Sequence, residues 1–459
     1  MTDEKADPLQ TFLRLCRVVI PAIALLLVVL QWWQSAQLMD EANSANQTMR
    51  QIWSNHPPAF PLDTLASAVY LPAAVSPVAA FDAGEGPWQA QSVWMQLARA
   101  ARAQDHLGYD VFPSGRQIGL NAAMFCQIII PCLALILGWQ QVRKSRGLNL
   151  QSWASLQTSL IEYAGPTVAL SCLLTAALQR QSLGLEGAIR LMLILGIYIL
   201  YSVAAGTICW LVYQRSTSLS RSTGLLVLFW LFNFSLARPF TVNLAAAVFP
   251  LPSLDQFARK LEFESQNGYN GVDPRADRQR RFFAEALRDY KVSSAAEMPV
   301  NLSAILLQKE ERHQREVAYR LRGEVNALFH AQERLEQSLS MFMPLVAIQI
   351  SSSAIAATDF ASERWQLEQA TVFWDKVVKR IYDDIVISSG PMANKVLRGS
   401  DYWQQIPMIE LQVPSPILAL NASLLPALGL SFISIFGMVT AMRARKTEVS
   451  TQPTEESAL

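Results

Sequence analysis

Few residues in this chain stand at spacings that could do chemistry. The four histidines, His56, His106, His313 and His330, are where a general base or a metal ligand would first be sought. His313 and His330 lie on one charged stretch, seventeen residues apart, where solvated side chains are the expectation. The five cysteines, Cys16, Cys126, Cys132, Cys172 and Cys209, all fall in or beside apolar runs at no metal-ligand spacing, and read as small packing residues. Neither G-x-x-x-x-G-K-[ST], nor H-E-x-x-H, nor G-x-S-x-G occurs, so phosphate-loop, zinc-protease and nucleophile-elbow chemistry have nothing to stand on. The expectation is a chain that is not an enzyme, with no catalytic, cofactor-binding or metal-binding residues of its own.

What remains is polarity in apolar surroundings. Arg238, followed by Pro239, interrupts a long apolar run, and Asn233 and Asn243 flank it one to two turns away. An ionisable group in such a run is costly and usually purposeful. Two readings stay open: the three residues line a translocation path, or the helix ends here, with Pro239 opening a short separate segment and Arg238 reaching an interface. Glu162, at the start of another run, reads as interfacial.

The elements that carry these residues are six apolar stretches at Leu13–Trp33, Leu120–Trp139, Ile161–Leu178, Ile189–Tyr213, Leu225–Phe249 and Ile417–Met442. A helix needs roughly 20 apolar residues to cross about 30 Å of hydrocarbon. With 51% hydrophobic and 16% charged residues, the expected fold class is an all-α integral membrane protein with six transmembrane helices and two extracytoplasmic domains, the second mainly helical. A net charge of +1 gives no sign of a nucleic-acid partner. The first run reads as a retained anchor rather than a cleaved leader, because Trp32 and Trp33 stand where a small-residue cleavage site would be.

Basic residues stay cytoplasmic, and they cluster at Arg143, Lys144 and Arg146, at Arg215 and Arg221, and at Arg443, Arg445 and Lys446. Both termini are therefore expected in the cytoplasm, with Arg180 and Arg190 on the disfavoured side. The organisation that follows is 1–33 (cytoplasmic N-terminus and first span), 34–118 (first extracytoplasmic domain), 119–250 (spans two to five, with a cytoplasmic linker at 141–160), 251–416 (second extracytoplasmic domain), 417–442 (last span) and 443–459 (cytoplasmic tail).

In the first outer domain the helix continues from the membrane, a proline-rich path follows, and a second helix is expected at Trp88–Asp105. In the second, Leu321, Leu328, Leu335 and Phe342 recur every seven residues, with Val325 and Leu339 between them. This stripe is expected to pack against its own domain, a partner-binding coiled coil being the alternative. Ser362–Ile387 is expected as a helix with Phe373, Val377, Ile381 and Ile385 on one face, and Asn267–Pro274 as a turn. Met341–Ala357 is apolar, but Pro344, Gln349 and three consecutive serines dilute it, so it reads as a buried or interfacial helix rather than a span.

Three stretches, YLPAAVSPVAAFDAGEGPW (Tyr70–Trp88), VFPLPSLDQF (Val248–Phe257) and SMFMPLVAIQISSSAIAATDF (Ser340–Phe360), together with the topology, make the chain resemble type-2 ABC transporter permeases. It is most similar to a branch with a second outer domain between spans one and two. The resemblance implies a dimer of permeases in the inner membrane, seated on two cytoplasmic ATPase subunits that hold the ATP and Mg. It also implies that the linker after span two is a coupling helix docking on the ATPase, here through Arg143, Lys144, Arg146, Gly147, Leu148, Trp153 and Leu156. Where the family carries acids before this glycine, the chain reads ArgLysSerArgGly, which implies one half of a heterodimer with a sister chain. The function expected is coupling of ATP hydrolysis to substrate movement. The alternative is a non-transporting component that relays ATPase state to the outer domains and an envelope partner.

Overall fold

The computed structural model describes residues 8–55, 68–71, 74–84, 93–96, 120–144, 150–215, 218–387 and 411–450. Helix α1 (Pro8–Asn55) runs unbroken from the first apolar run into the segment beyond it. The bundle continues with α2 (Ala122–Lys144), α3 (Leu150–Leu178), α4 (Gly184–Arg215) and α5 (Leu219–Phe232). A π-helical turn at Asn233–Ala237 then leads into α6 (Arg238–Val248). After these come α7 (Leu254–Asn267), α8 (Arg275–Asp289), α9 (Leu302–Ser340), α10 (Pro344–Ala356), α11 (Phe360–Ile387) and α12 (Pro416–Ser450).

Pro239 does not break the fifth run. A proline removes one helical N–H and clashes with the carbonyl four residues back. The extra residue of the π-turn just upstream relieves that conflict, so α5 and α6 form one continuous helix.

The helix expected at Trp88–Asp105 is corrected in part. Val93–Gln96 is a strand (β2), antiparallel to β1 (Ala68–Leu71), with Val69 opposite Met95 and Tyr70 opposite Trp94. Aromatic and β-branched residues suit such a ribbon better than a helix. The rest of that stretch, with His56 and His106, lies outside the described residues.

Seven described segments are long and apolar enough to cross a membrane, one more than the six read from sequence. The additional one, Pro344–Ile387, joins α10 and α11 across Ala357, which sits in the left-handed region at φ 55. At 1.5 Å per residue α10 is about 20 Å long. It owes its apolarity to protein neighbours: all of its residues but Gln349 and Ile350 are buried.

The bundle has two distinct ends. Trp153 Nε1 donates to Thr207 at 3.2 Å and Trp210 Nε1 to Ser152 at 3.2 Å, bringing the start of α3 to the end of α4. The Tyr213 hydroxyl donates to the Leu135 carbonyl at 3.4 Å and lies 3.3 Å from Thr223, adding the end of α2 and the start of α5. Gly437 of α12 is packed against Thr207 at the same end. Arg143, Arg215, Arg221 and Arg443 therefore share one end of the bundle. The segments 74–84, 251–387 and 411–416 meet it at the other, far end.

Three apolar cores result. One is the bundle interior, and it takes in Val78, Ala80 and Phe81 from the far-end segment and Leu345, Ala347, Ile348 and Ile355 from α10. A second joins α8, the start of α9 and the face of α11 carrying Phe373, Val377, Ile381 and Ile385, as expected. The third packs α7 against Val317, Leu321, Val325 and Phe329. Of the stripe read from sequence, Leu321 and Val325 are buried there, Leu328, Leu335 and Leu339 are half-buried, and Phe342 is exposed. At the Asn267–Pro274 turn, Gly268 and Gly271 take positive φ, and the wholly buried Arg278 binds the Ser265 and Asp273 carbonyls and Glu310.

Close approach of α10 and its lead-in to α12 depends on Gly429, where an added Cβ would lie 2.5 Å from Met341 Cα. Gly429→Val should cost about 1–3 kcal/mol, the usual toll of overpacking, and lower the thermal midpoint of the purified protein. Gly224→Ala, with no atom within 4 Å of the added carbon, should leave it unchanged or slightly raised.

Candidate functional site

The far end of the bundle holds a buried polar junction where two segments distant in sequence meet. The first, 74–84, folds as tight turns: the Phe81 N–H donates to Val78 O at 3.0 Å and the Asp82 N–H to the same carbonyl at 3.3 Å. The Phe81 carbonyl then accepts from the Ala123 N–H at 3.1 Å, while Asn121 Oδ1 accepts from the Met124 N–H at 2.7 Å. Both satisfy donors that the first turn of α2 leaves open. The Phe81 ring stands edge-on to Tyr198 with centroids 5.5 Å apart.

The second segment is α10. Ser352 donates its hydroxyl to Asp82 Oδ2, and Asp82 Oδ1 accepts from the Gly84 N–H at 2.9 Å. The Tyr198 hydroxyl lies 3.4 Å from Ser352 Oγ and 3.2 Å from the Ala123 carbonyl, and accepts from Gln127 Nε2 at 3.1 Å. Gly84, at φ 67, presses against the Thr358 carbonyl, where any Cβ would collide. Asp82 is 4% exposed. Burial pushes its carboxyl above the usual range, and the hydrogen bonds from Ser352 and Gly84 pull against that shift. A small, partly open crevice lies beside it, lined by Asp82, Gly84, Asn121, Met124, Gln127, Gln349 and Ser353. One side chain adds a further clamp: the Gln366 amide of α11 accepts from the Ala74 N–H and donates to the Ala74 carbonyl, both at 2.9 Å.

Arg190 explains itself here. Read from sequence as a loop charge on the disfavoured side, it is wholly buried in α4. Its guanidinium donates to the Ile355 carbonyl at 2.6 Å, to the Pro414 carbonyl, and to Glu186 at 3.0 Å. One cation thus holds the C-terminus of α10, where helix carbonyls are unpaired and the dipole is negative, and the chain entering α12.

The residues singled out from sequence fall elsewhere. Asn233 is buried and its amide donates to its own Phe229 carbonyl at 3.0 Å; Asn243 is exposed. Arg238 turns to a charged joint, where the Glu336 and Asp359 carboxylates act on it. The same joint contains the Arg364–Glu333 pair at 2.6 Å and a 2.7 Å hydrogen bond from Gln332 to the Phe249 carbonyl. The three polar residues of the fifth run are therefore not gathered on one wall. Burial pushes the Glu336 carboxyl up; against its own burial, Glu333 is held down by His330 and Arg364.

At the basic end, Trp153 and Leu156 are not a free docking face. Leu156 is buried, Trp153 is half-buried on Thr207, and both belong to the bundle core, because α3 begins at Leu150 rather than near Ile161. The polar contacts of Ser152 and of the Gln157 amide with α4 extend the helix beyond its apolar run. Arg143 is exposed at the end of α2, over the Trp139 ring at 4.6 Å. Of Lys144 only the backbone is described, and Arg146, Gly147 and Leu148 lie outside the described residues. His313 and His330 stand on α9 about 25 Å apart along its axis. Burial and Arg278 push the His313 pKa down, and His330 pairs with Glu333 at 3.3 Å. The cysteines are free thiols.

Residues 256–408 match a family model described as "Domain of unknown function (DUF3526)". The match runs from α7 past α11, and so contains Ser352 and Gln366 but not Asp82, Tyr198 or Arg190. No curated protein and no solved structure matches the chain.

Removing Arg190 strands two buried carbonyls at once. Arg190→Ala should cost about 3 kcal/mol or more, from two charge-assisted bonds of roughly 1.5–3 kcal/mol each. Arg190→Lys should recover little, since one ammonium lacks the planar fork. Thermal melts of the purified protein check this, with the exposed Arg180→Ala expected to match wild type.

Proposed function

We propose that this chain is the transmembrane permease subunit of an ATP-driven ABC transporter. It couples ATP hydrolysis on two separate cytoplasmic subunits, which carry the ATP and Mg, to substrate movement across the inner membrane. The observation that carries the reading is the segregation of charge. Arg143, Arg215, Arg221 and Arg443 stand at one end of the bundle, and the segments 74–84, 251–387 and 411–416 at the other. That is the arrangement of a protein with both termini and its short basic loops in the cytoplasm. On this reading six helices cross the membrane. The seventh candidate enters from outside only as far as α10 reaches, its backbone sheltered by protein as a non-spanning helix at membrane depth must be.

The ATPase contact falls to exposed residues at the end of α2 and the start of α3: Arg143, Gln151 and Ser155. The basic sequence there supports pairing with a sister permease in a heterodimer, since unlike surfaces penalise the wrong arrangement. A second reading, in which the subunit relays ATPase state to its outer domains and an envelope partner without transport, is favoured by the shared core. Phe81 and α10 pack inside the bundle, so any rocking of the spans moves them.

Arg143→Glu combined with Gln151→Glu and Ser155→Glu should reduce the ATPase subunits co-purifying with the chain at least roughly tenfold, by charge alone, without disturbing insertion. Full retention of the ATPase would contradict the docking assignment. For topology, Ser293→Cys should label with an impermeant thiol reagent added from outside and Ser155→Cys should not; the reverse pattern would invert the protein.

A further inference from the structure

The crevice at the far end of the bundle has a chemical polarity of its own. Asp82 accepts from the Ser352 hydroxyl and the Gly84 N–H, two bonds that favour its ionised form against the burial that disfavours it. A buried carboxylate is expensive unless a positive charge meets it. Among the described residues no cation does: Arg190 is spent on the Ile355 and Pro414 carbonyls and on Glu186.

The neighbouring side chains are neutral amides and a hydroxyl whose described bonds use only part of their capacity. Gln127 Nε2 donates to Tyr198 at 3.1 Å, and Ser353 Oγ donates to the Gln349 carbonyl at 2.9 Å. This leaves Gln127 Oε1 and the lone pairs of Ser353 as unused acceptors. Gln349, whose amide oxygen is a further candidate, lines the same crevice. An anion would meet the Asp82 charge whichever amide N–H groups of Asn121, Gln127 or Gln349 it reached; a neutral apolar ligand would strand the oxygens. A small cation satisfies both the charge and the oxygens, since hard cations take carboxylate, amide and hydroxyl oxygens together.

We propose that this crevice binds a small monovalent cation, an alkali ion or the primary ammonium of a ligand, with Asp82 as its counter-charge and Gln127, Gln349 and Ser353 as neutral oxygen partners. Bound there, the cation joins segment 74–84 and α10 to the start of α2. It therefore stabilises the junction on which the far-end segments sit. The proposal does not depend on the transport reading.

The test is thermal unfolding of the full chain in phosphatidylcholine nanodiscs at fixed ionic strength and pH, with choline chloride replaced by sodium, potassium or ethanolammonium chloride. Wild type should melt several degrees higher in at least one of these salts than in choline. A response to sodium or potassium identifies an alkali ion, and a response to ethanolammonium alone identifies an amine. The gain should be lost in Asp82→Asn. It should fall by at least half in Gln349→Leu, which alters the crevice without touching the Asp82–Ser352 bond and serves if Asp82→Asn does not fold. Equal midpoints in all four salts would overturn the proposal, as would a salt-specific gain that survives both substitutions. When the series is repeated at a lower fixed pH, a midpoint that rises equally in all four salts, with no cation-specific gain at the higher pH, would also overturn it, because a proton would then be what neutralises Asp82.

Discussion

A short helix that ends inside a protein must have its last carbonyls satisfied there, and α10 meets that demand with two backbone N–H groups and one guanidinium. Ala357, in the left-handed conformation, returns its N–H to the final turn, and Thr358 donates to the Ser353 carbonyl at 2.9 Å. The Ile355 carbonyl is left to Arg190, which at the same time holds the Pro414 carbonyl where the chain turns into α12. The rest of the far end depends on that fixed point. With α10 in place, Ser352 meets Asp82, Tyr198 meets Ser352, and Phe81 closes over Tyr198 while capping α2.

The consequence is mechanical. In a protein whose outer parts merely rested on the membrane helices, the apolar cores would divide at the interface. Here Val78, Phe81, Leu345 and Ile355 share one core with Ile130, Ile194 and Tyr201 of the helices. The joint around Arg238, Glu336, Arg364 and Glu333 ties the fifth helix to α9 and α11 in the same way, through charges rather than apolar contact. A displacement of the helices cannot leave the far-end segments behind, which gives coupling between the two ends of the protein a physical route.

Much of the fold was legible because apolar length and helical period are local properties. Each of the six runs falls on a membrane-capable helix, although the third begins at Leu150 rather than Ile161, and the stretch read as a buried or interfacial helix forms the buried α10 within a seventh membrane-capable segment, Pro344–Ile387. What failed was set by contacts between distant residues. The α3 helix starts well before its apolar run because Ser152, Trp153 and Gln157 find partners on α4, so residues read as a docking face are core. Of the two readings open at Pro239, the helix end fails because nothing in sequence announces the π-turn that carries the helix through. The Asp82–Ser352 bond joins residues 270 positions apart, and a lone acid in a proline-rich stretch gives no hint of it. Arg190 did give one: a charge within an apolar helix is costly, and a partner inside the protein was the reading to prefer over a loop on the wrong side.

The central claim is that segment 74–84, α10 and the helix bundle form one cooperative unit. Native-state hydrogen exchange on the purified protein tests it most directly, because amides in one unit open together with one free energy. The account predicts that the buried amides of Phe81, Asp82 and residues 348–356 exchange with the same opening free energy, and the same dependence on denaturant, as those of Ile194–Ala205 in α4. Exchange of 81–82 or of α10 through a separate, lower-energy opening, with α4 still protected, would contradict it.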